Sequence, residues 1–173
     1  SDATAAKREV ERRVAAGAIF IKSYEQPTRE KRQWLVRAAR EAGIRITTEG
    51  GGKLYADLTH VVDGHTGVEH ELPLTEWNSD VRTLFAKMGT VLTPTLTLND
   101  GGRSFFFTRE KDALGEKYQR FASPFLVDSN LKMSNAKYQA DDDLAVLDIA
   151  RQVAELQRAG GAISLGSHSQ PNG

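Results

Sequence analysis

Residues 28–52, TREKRQWLVRAAREAGIRITTEGGG, contain one complete helix–strand unit and decide the fold class. Thr28 can cap the helix, and Gly43 can end it. Apolar residues recur at helical spacing between these positions, at Trp34, Leu35, Ala38 and Ala42. The strand that follows, IRITT at 44–48, runs directly into Glu49 and three glycines. The stretch therefore predicts a helix, a strand, and a charged residue at the end of that strand.

The same alternation of helix and strand extends in both directions from this unit. Helical spacing of apolar residues predicts further helices at 5–16, 54–62, 76–88 and 144–156. Short apolar runs predict further strands at 18–22, 67–70, 90–96 and 162–166. The first of these runs, AIFIK, shows no alternation and is expected to be covered on both faces. Strands joined by helices imply right-handed crossovers and a parallel sheet, interrupted by an insertion without a clear period at about 99–140.

Two α/β architectures fit this order of elements, the doubly wound sheet and the (β/α)8 barrel. No G-x-G-x-x-G follows the first strand and no phosphate loop is found, which weakens the nucleotide-binding, doubly wound alternative. Polar residues stand at the ends of four different strands, namely Lys22, Glu49, His70 and His168. A barrel gathers its chemistry on the rim formed by these strand ends. We therefore expect a barrel with these four side chains at one mouth.

Composition limits the classes of protein and of partner. The 173 residues carry 23 Lys plus Arg and 23 Asp plus Glu, so no excess of basic charge favours phosphate contacts, and we expect no nucleic-acid partner. No apolar run approaches the roughly 20 residues of a membrane helix, so we expect no membrane partner either. The absence of cysteine excludes disulfides and thiolate metal sites. Any metal must be held by histidine, carboxylate or modified lysine.

Several segments, in the same order along the chain, resemble the metal-dependent amidohydrolase superfamily, particularly the amidohydrolase domains that follow TolB-like propellers. They are FIKSY at 20–24, TEGGG at 48–52, DGHTGVEH at 63–70, TPTL at 93–96 and LGSH at 165–168. The resemblance implies an eight-stranded TIM-type barrel, which takes about 250 residues. We therefore expect residues 1–173 to form a single partial (β/α)8 barrel domain that corresponds to the fourth through eighth strands.

The resemblance also implies roles for two of the strand-end residues. In such enzymes the lysine that ends the fourth strand is often carboxylated and bridges two divalent metals, and Lys22 occupies that position. Only a neutral amine adds carbon dioxide, and a lysine desolvated among apolar neighbours has a lowered pKa, so we expect such surroundings for Lys22. His70 matches the metal-binding histidine of the sixth strand, and neutral imidazole is a sound zinc ligand.

Three features depart from the pattern of the superfamily. Glu49 stands where the fifth strand commonly ends in a metal-binding histidine, and a carboxylate can also bind zinc or a harder ion. His168 stands where the eighth strand commonly supplies an aspartate, so its imidazole would be a ligand or the catalytic base. The His-x-His pair of the first strand is not found. His60 and His65 are expected to have structural roles, and a structural role is also the alternative for each candidate ligand.

The resemblance implies a metal-dependent hydrolase of carbon–nitrogen bonds, in amides or cyclic amides, as part of a longer parent protein. One or two divalent ions, with zinc favoured, would be held by Lys22, Glu49, His70 and His168, and the substrate would be a small amide-type molecule. The isolated chain is expected to be inactive. Because a partial barrel leaves open strand edges, we expect self-association or pairing with the missing part of the barrel. The alternative is a non-catalytic barrel remnant or assembly module, which the departures at Glu49 and His168 favour.

Overall fold

A computed structural model of the protein describes residues 2–50, 52–96, 120–125 and 145–166, in which helices and strands alternate as the sequence predicts. The helices are α1 (Ala3–Ala15), α2 (Arg29–Glu41), α3 (Leu54–Asp63), α4 (Ser79–Met88) and α5 (Ala145–Arg158). The strands are β1 (Phe20–Lys22), β2 (Arg45–Glu49), β3 (Gly67–Glu69) and β4 (Val91–Thr93). The protein is therefore an α/β protein built from repeated helix–strand units.

The four strands form one parallel sheet in the order β1-β2-β3-β4, which is also their order along the chain. A doubly wound sheet reverses its direction at a switch point, and no reversal occurs among the described strands. The last predicted strand is reduced to one parallel bridge, in which Ile163 pairs with Leu92 of β4. Two backbone hydrogen bonds hold this bridge, from Leu92 to Ala162 and from Ser164 to Leu92. The described fold is consistent with a partial TIM-like barrel and is not a closed barrel.

Local signals in the sequence set the ends of several helices. The side chain of Asp2 accepts a hydrogen bond from the backbone N–H of Ala5 at 2.8 Å, so α1 begins at a capping residue. Thr28 caps α2 in the same way by accepting from the N–H of Lys31 at 3.3 Å. Gly89 ends α4 with a φ of 65°, a left-handed conformation that glycine adopts without a steric cost. These ends follow from the sequence rather than from the packing of the helices.

One face of the sheet is apolar and packs against the helices. Each strand contributes one buried apolar residue to this face. These residues are Ile21, Ile46, Val68 and Leu92. Ile21 packs with α1 and α2, and Ile46 packs with α2. The largest buried cluster joins β3 and β4 to α3, α4 and α5 through Val61, Val68, Leu72, Trp77, Val81, Phe85, Leu92, Ile149, Val153 and Leu156. Burial of this apolar area supplies the main favourable term in folding.

The opposite face of the sheet is mainly polar, and we call it the polar face. Because side chains alternate along a strand, it carries Phe20, Lys22, Arg45, Thr47, Glu49, Gly67, Glu69, Val91 and Thr93. The prediction that residues 18–22 are covered on both faces is wrong, since Phe20 is 59% exposed. Among the described strands β1 pairs only with β2, and Ile21 is the only one of its residues that joins a core cluster.

The predicted insertion at about 99–140 lies outside the described residues except for 120–125. It stays a prediction, as does the assignment of residues 1–173 to a single domain. Phe121 and Phe125 in the short described piece are exposed. Strand β4 ends at Thr93, earlier than predicted, because Pro94 has no N–H with which to continue the ladder. None of the described helices is both long and apolar enough to span a membrane.

Candidate functional site

Three of the four predicted strand-end residues come together in the structure. Lys22 ends β1, Glu49 ends β2 and His70 directly follows β3, so all three lie at the carboxyl edge of the parallel sheet. Nζ of Lys22 lies 2.5 Å from Oε2 of Glu49. Nε2 of His70 lies 2.5 Å from Oε1 of the same carboxylate. The fourth residue, His168, lies outside the described part of the chain.

Glu49 is the centre of this group, and we call Lys22, Glu49 and His70 the rim trio. Its side chain is 17% exposed, so burial by itself raises the pKa of the carboxyl group. The hydrogen bonds and charges of Lys22 and His70 outweigh this effect, and the pKa of Glu49 lies below its ordinary value. Glu49 is therefore ionised at neutral pH, and both of its oxygens face polar neighbours in the trio.

Lys22 does not have the surroundings that the sequence predicts. Its side chain is 42% exposed, and its ammonium group contacts Glu49 on one side. The ring of Tyr24 lies on another side, with its centroid 5.9 Å from Nζ. These two neighbours are a charged group and an aromatic ring face, and not the apolar enclosure that the prediction requires. The expectation of a lysine desolvated among apolar neighbours is therefore wrong.

An unusual backbone conformation directs His70 into the trio. Alternation along β3 places Glu69 on the polar face, so the next side chain should project towards the helices. His70 instead has a φ of 67°, in the left-handed region that residues other than glycine rarely adopt. This turn accompanies the contact of its Nε2 with Glu49. Strained backbone of this kind is found preferentially at functional sites.

The other ring nitrogen of His70 is held by a residue that the sequence reasoning missed. Nδ1 lies 2.6 Å from Oγ1 of Thr95, and the backbone N–H of His70 donates to the carbonyl of Thr93 at 2.9 Å. The backbone N–H of Thr95 in turn donates to Oε2 of Glu71 at 2.8 Å. Thr95 belongs to the TPTL segment that carries the family resemblance, and its position just beyond β4 was the available signal.

His60 and His65 have the structural surroundings that the sequence predicts. His65 is buried and donates from Nδ1 to the carbonyl of His60 at 3.1 Å, since a carbonyl oxygen only accepts. Its Nε2 therefore accepts from Oγ of Ser23 at 3.3 Å. Burial lowers the pKa of His60 to about 4, assisted by the charge of Arg32. Burial also lowers the pKa of His65, so both rings are neutral at neutral pH.

A cleft of about 280 Å³ opens between α1 and α2 but is not centred on the rim trio. Apolar side chains such as Val10, Trp34 and Leu35 line it, together with Lys22. Neither Glu49 nor His70 reaches it. The chemistry of the trio therefore belongs to the carboxyl edge of the sheet and not to this cleft.

The donor atoms of the trio match the preferences of a divalent metal in part. Imidazole nitrogen and carboxylate oxygen are ordinary zinc ligands, and His70 and Glu49 present them side by side. The described residues contain no group of three or more His, Cys, Asp or Glu that could hold a metal ion. A third ligand from the described residues would have to be Lys22 in its carboxylated form, since an ammonium group has no lone pair.

No protein-family model matches the sequence, and no curated protein matches it. Several solved structures resemble its fold, and two of them show the extent of the likeness. The crystal structure of a Xaa-Pro dipeptidase with bound methionine in the active site covers 98% of this chain, at 17% identity and a TM-score of 0.56. The crystal structure of an uncharacterized protein covers 96% of it, at 17% identity and a TM-score of 0.55. The chain spans 39% and 38% of the lengths of these two proteins. The likeness shows that the chain shares the fold of the matching part of these two proteins.

Proposed function

We propose that this chain is part of a metal-dependent hydrolase that acts on carbon–nitrogen bonds of amides or cyclic amides. The observation that carries the proposal is the convergence of Lys22, Glu49 and His70 at the carboxyl edge of the sheet. Parallel α/β folds of the barrel type place their catalytic residues at this edge. The likeness in fold to a protein described as a dipeptidase, which is a hydrolase, adds support at the level of the fold.

In this proposal the rim trio holds one or two divalent ions, with zinc favoured. Glu49 would contribute a carboxylate oxygen and His70 would contribute Nε2, two atoms that contact each other in the structure. Lys22 would contribute oxygen as a carbamate, and His168 would be a further ligand or the catalytic base. A bound divalent ion lowers the pKa of water towards neutrality and polarises a carbonyl group.

Two contacts of the trio would have to change for this role. The ammonium group of Lys22 must leave Glu49, because a charged amine neither adds carbon dioxide nor binds a metal. Nε2 of His70 must present a lone pair instead of the hydrogen that it donates to Glu49. A small amide-type substrate would then lie over the polar face, where Glu69 and Thr93 continue the row that begins at Glu49.

The proposal is tested by zinc binding to the purified chain, measured by calorimetry with and without bicarbonate. We expect Glu49→Gln, His70→Asn and Lys22→Met each to weaken binding at least about tenfold, because each removes a ligand. Glu69→Gln and Lys53→Met are matched controls, since Glu69 is the register neighbour of Glu49 and Lys53 is exposed. Zinc binding that is absent, or that is equal in all five variants, would overturn the metal role.

Activity is tested separately on the complete parent protein loaded with zinc. We expect amide hydrolysis by the parent and none by the isolated chain. The same Glu49→Gln and Lys53→Met substitutions in the parent would connect turnover with the trio. A metal-loaded parent that cleaves no amide or cyclic amide would contradict the hydrolase proposal even if the chain binds zinc.

A second candidate function is favoured by the contacts within the rim trio. Both oxygens of Glu49 have partners in Lys22 and His70, as they would in a purely structural polar group. The chain would then be a non-catalytic barrel remnant or an assembly module. In that case neither the wild type nor His70→Asn binds zinc, and the substitution changes only the stability of the fold.

We also propose that the β1 edge mediates assembly, either with a second copy or with the rest of the barrel. Ile19, which precedes β1, is 79% exposed, and Phe20, the first residue of β1, is 59% exposed. Among the described strands β1 pairs only with β2. Unpaired backbone groups beside exposed apolar side chains favour the addition of another strand. The added strand would extend the sheet beyond β1.

A further inference from the structure

We infer that Thr95 is a positioning residue for the imidazole of His70, and that Glu71 in turn positions Thr95. The inference deepens the proposed function and rests on the role of His70 proposed there. It concerns three consecutive contacts, from Glu71 to Thr95, from Thr95 to His70 and from His70 to Glu49, and we call these residues the support chain.

The support chain is buried and its contacts are short. Glu71 is 1% exposed, Thr95 is 5% exposed and His70 is 6% exposed. Oε2 of Glu71 lies 2.8 Å from the backbone nitrogen of Thr95, and Oγ1 of Thr95 lies 2.6 Å from Nδ1 of His70. Hydrogen bonds in such surroundings exchange little with water, so they restrict the imidazole ring more than exposed ones would.

The contacts at both ring nitrogens fix the tautomer of neutral His70. The carboxylate of Glu49 only accepts hydrogen bonds, so Nε2 of His70 carries the hydrogen that points towards Oε1. Nδ1 then has a lone pair, which accepts the hydroxyl hydrogen of Thr95. When the ring is neutral, therefore, Thr95 donates to His70.

A threonine hydroxyl suits this position because it can both donate and accept. When Nε2 serves as a metal ligand, the hydrogen of the neutral ring lies on Nδ1, and the same hydroxyl accepts it after rotating about its C–O bond. The ring is supported in both tautomers without movement of the backbone. Partners of this kind at the second nitrogen of a ligating histidine commonly change metal affinity by 10–100-fold.

Glu71 fixes the part of the chain that carries Thr95. Pro94 interrupts the strand ladder before Thr95, so the N–H of Thr95 requires a partner other than a neighbouring strand. Glu71 supplies it from the segment that directly follows His70. Oε1 of Glu71 has no hydrogen-bond partner among the described residues. Burying a carboxylate that has a hydrogen-bond partner at only one oxygen among the described residues is costly, which is consistent with a residue retained for position.

The test compares Thr95→Val with Thr95→Ser, because valine keeps the shape and serine keeps the hydroxyl. The first readout is the nitrogen-15 chemical shifts of the His70 ring in the metal-free chain, which report the tautomer. We expect the wild type and Thr95→Ser to carry hydrogen on Nε2, with Nδ1 accepting a hydrogen bond. Thr95→Val should lose the hydrogen-bond shift at Nδ1. Thr83→Val, on the exposed surface of α4, is the control.

The second readout is zinc affinity by calorimetry. We expect Thr95→Val to weaken binding about 10–100-fold and Thr95→Ser to restore it to within about threefold. Glu71→Gln keeps an acceptor for the N–H of Thr95 and should retain most of the affinity, whereas Glu71→Leu should lose it. If Glu71→Leu does not fold, the two Thr95 variants still decide the matter.

The two readouts separate this inference from the proposed function. If Thr95→Val leaves the ring shifts of His70 unchanged, Thr95 does not position the ring and the inference is overturned. If those shifts change as expected but the wild type binds no zinc, the positioning role stands and the metal role fails. If zinc binds and Thr95→Val binds it as tightly as the wild type, the support chain has no part in the site.

Discussion

Gly50 lies directly against Glu69: a Cβ atom at Gly50 would be 2.6 Å from the carbonyl oxygen of Glu69 and 2.6 Å from Cγ1 of Val68. Gly50 immediately follows Glu49, so this close approach holds the end of β2 against β3 at the rim trio. The contact involves backbone on both sides, which leaves little room to adjust.

Gly50→Ala should therefore destabilise the fold and disturb the trio. Overpacking against backbone typically costs about 1–3 kcal/mol in the free energy of unfolding, which urea denaturation measures. Gly52→Ala is the matched control, since its Cβ would meet nothing within 4 Å and should change stability by less than about 0.5 kcal/mol. Equal stability of the two variants would show that the close approach is not a constraint.

The stability of the fold should fall as the pH is lowered from about 6.5 to about 4. Burial lowers the pKa of His60 from 6.5 to about 4, so the unfolded chain binds more protons in this range. His60 alone accounts for roughly 3 kcal/mol across the window, and His65 acts in the same direction. Thermal melts across this range should show a smaller pH dependence for His60→Gln. A variant that keeps the full slope would assign the effect to other groups.

Lys22→Gln should raise the pKa of the Glu49 carboxyl, because it removes one of the two partners that lower this pKa. A carboxyl group whose pKa is lowered by folding stabilises the fold at pH values above the pKa that it has in the unfolded chain. This contribution is lost as the pH falls through the pKa of the folded state. Because Lys22 is partly exposed, the change in stability at neutral pH should stay below about 1 kcal/mol. Carbon-13 NMR titration of Glu49 measures the pKa, with Lys53→Gln as the control. An unchanged titration would show that the ion pair is not formed in solution.

Phe20→Lys should weaken self-association if the β1 edge is the contact surface. The substitution replaces exposed apolar area with a charge beside an open strand edge, which opposes strand addition. Sedimentation velocity at several concentrations measures the effect. Tyr55→Lys is the control, since Tyr55 is an aromatic residue that is even more exposed, at 84%, and belongs to α3 and not to β1. A wild-type chain that stays monomeric at all concentrations would contradict the assembly proposal.

The alternation of helices and strands and the grouping of the rim trio could both be predicted from the sequence, for a simple reason. Parallel strands end at one edge, so Lys22, Glu49 and His70 had to lie near each other once their strands were adjacent. What the sequence could not show is the direction of each side chain. The positive φ of His70 reverses the expected alternation, and the hydroxyl of Thr95 reaches it across 25 residues.

The surroundings of Lys22 and the exposure of Phe20 were wrongly predicted for a related reason. An apolar run such as AIFIK indicates burial only if both sides of the strand meet other elements. The run does not show which neighbours are present, and β1 lies at an edge of the described sheet. The role of His168 stays a prediction, because that residue lies outside the described part of the chain.

The two faces of the sheet impose different limits on redesign. On the helix-covered side, where Val68 and Leu92 are fully enclosed, a tolerated replacement must match the lost volume to within about a methyl group. On the other side, Glu49, Glu69 and Thr93 stand in one row, so a tolerated replacement must preserve the hydrogen-bonding capacity. In β3, therefore, side-chain volume limits replacement at Val68, whereas hydrogen bonding limits replacement at the next residue, Glu69.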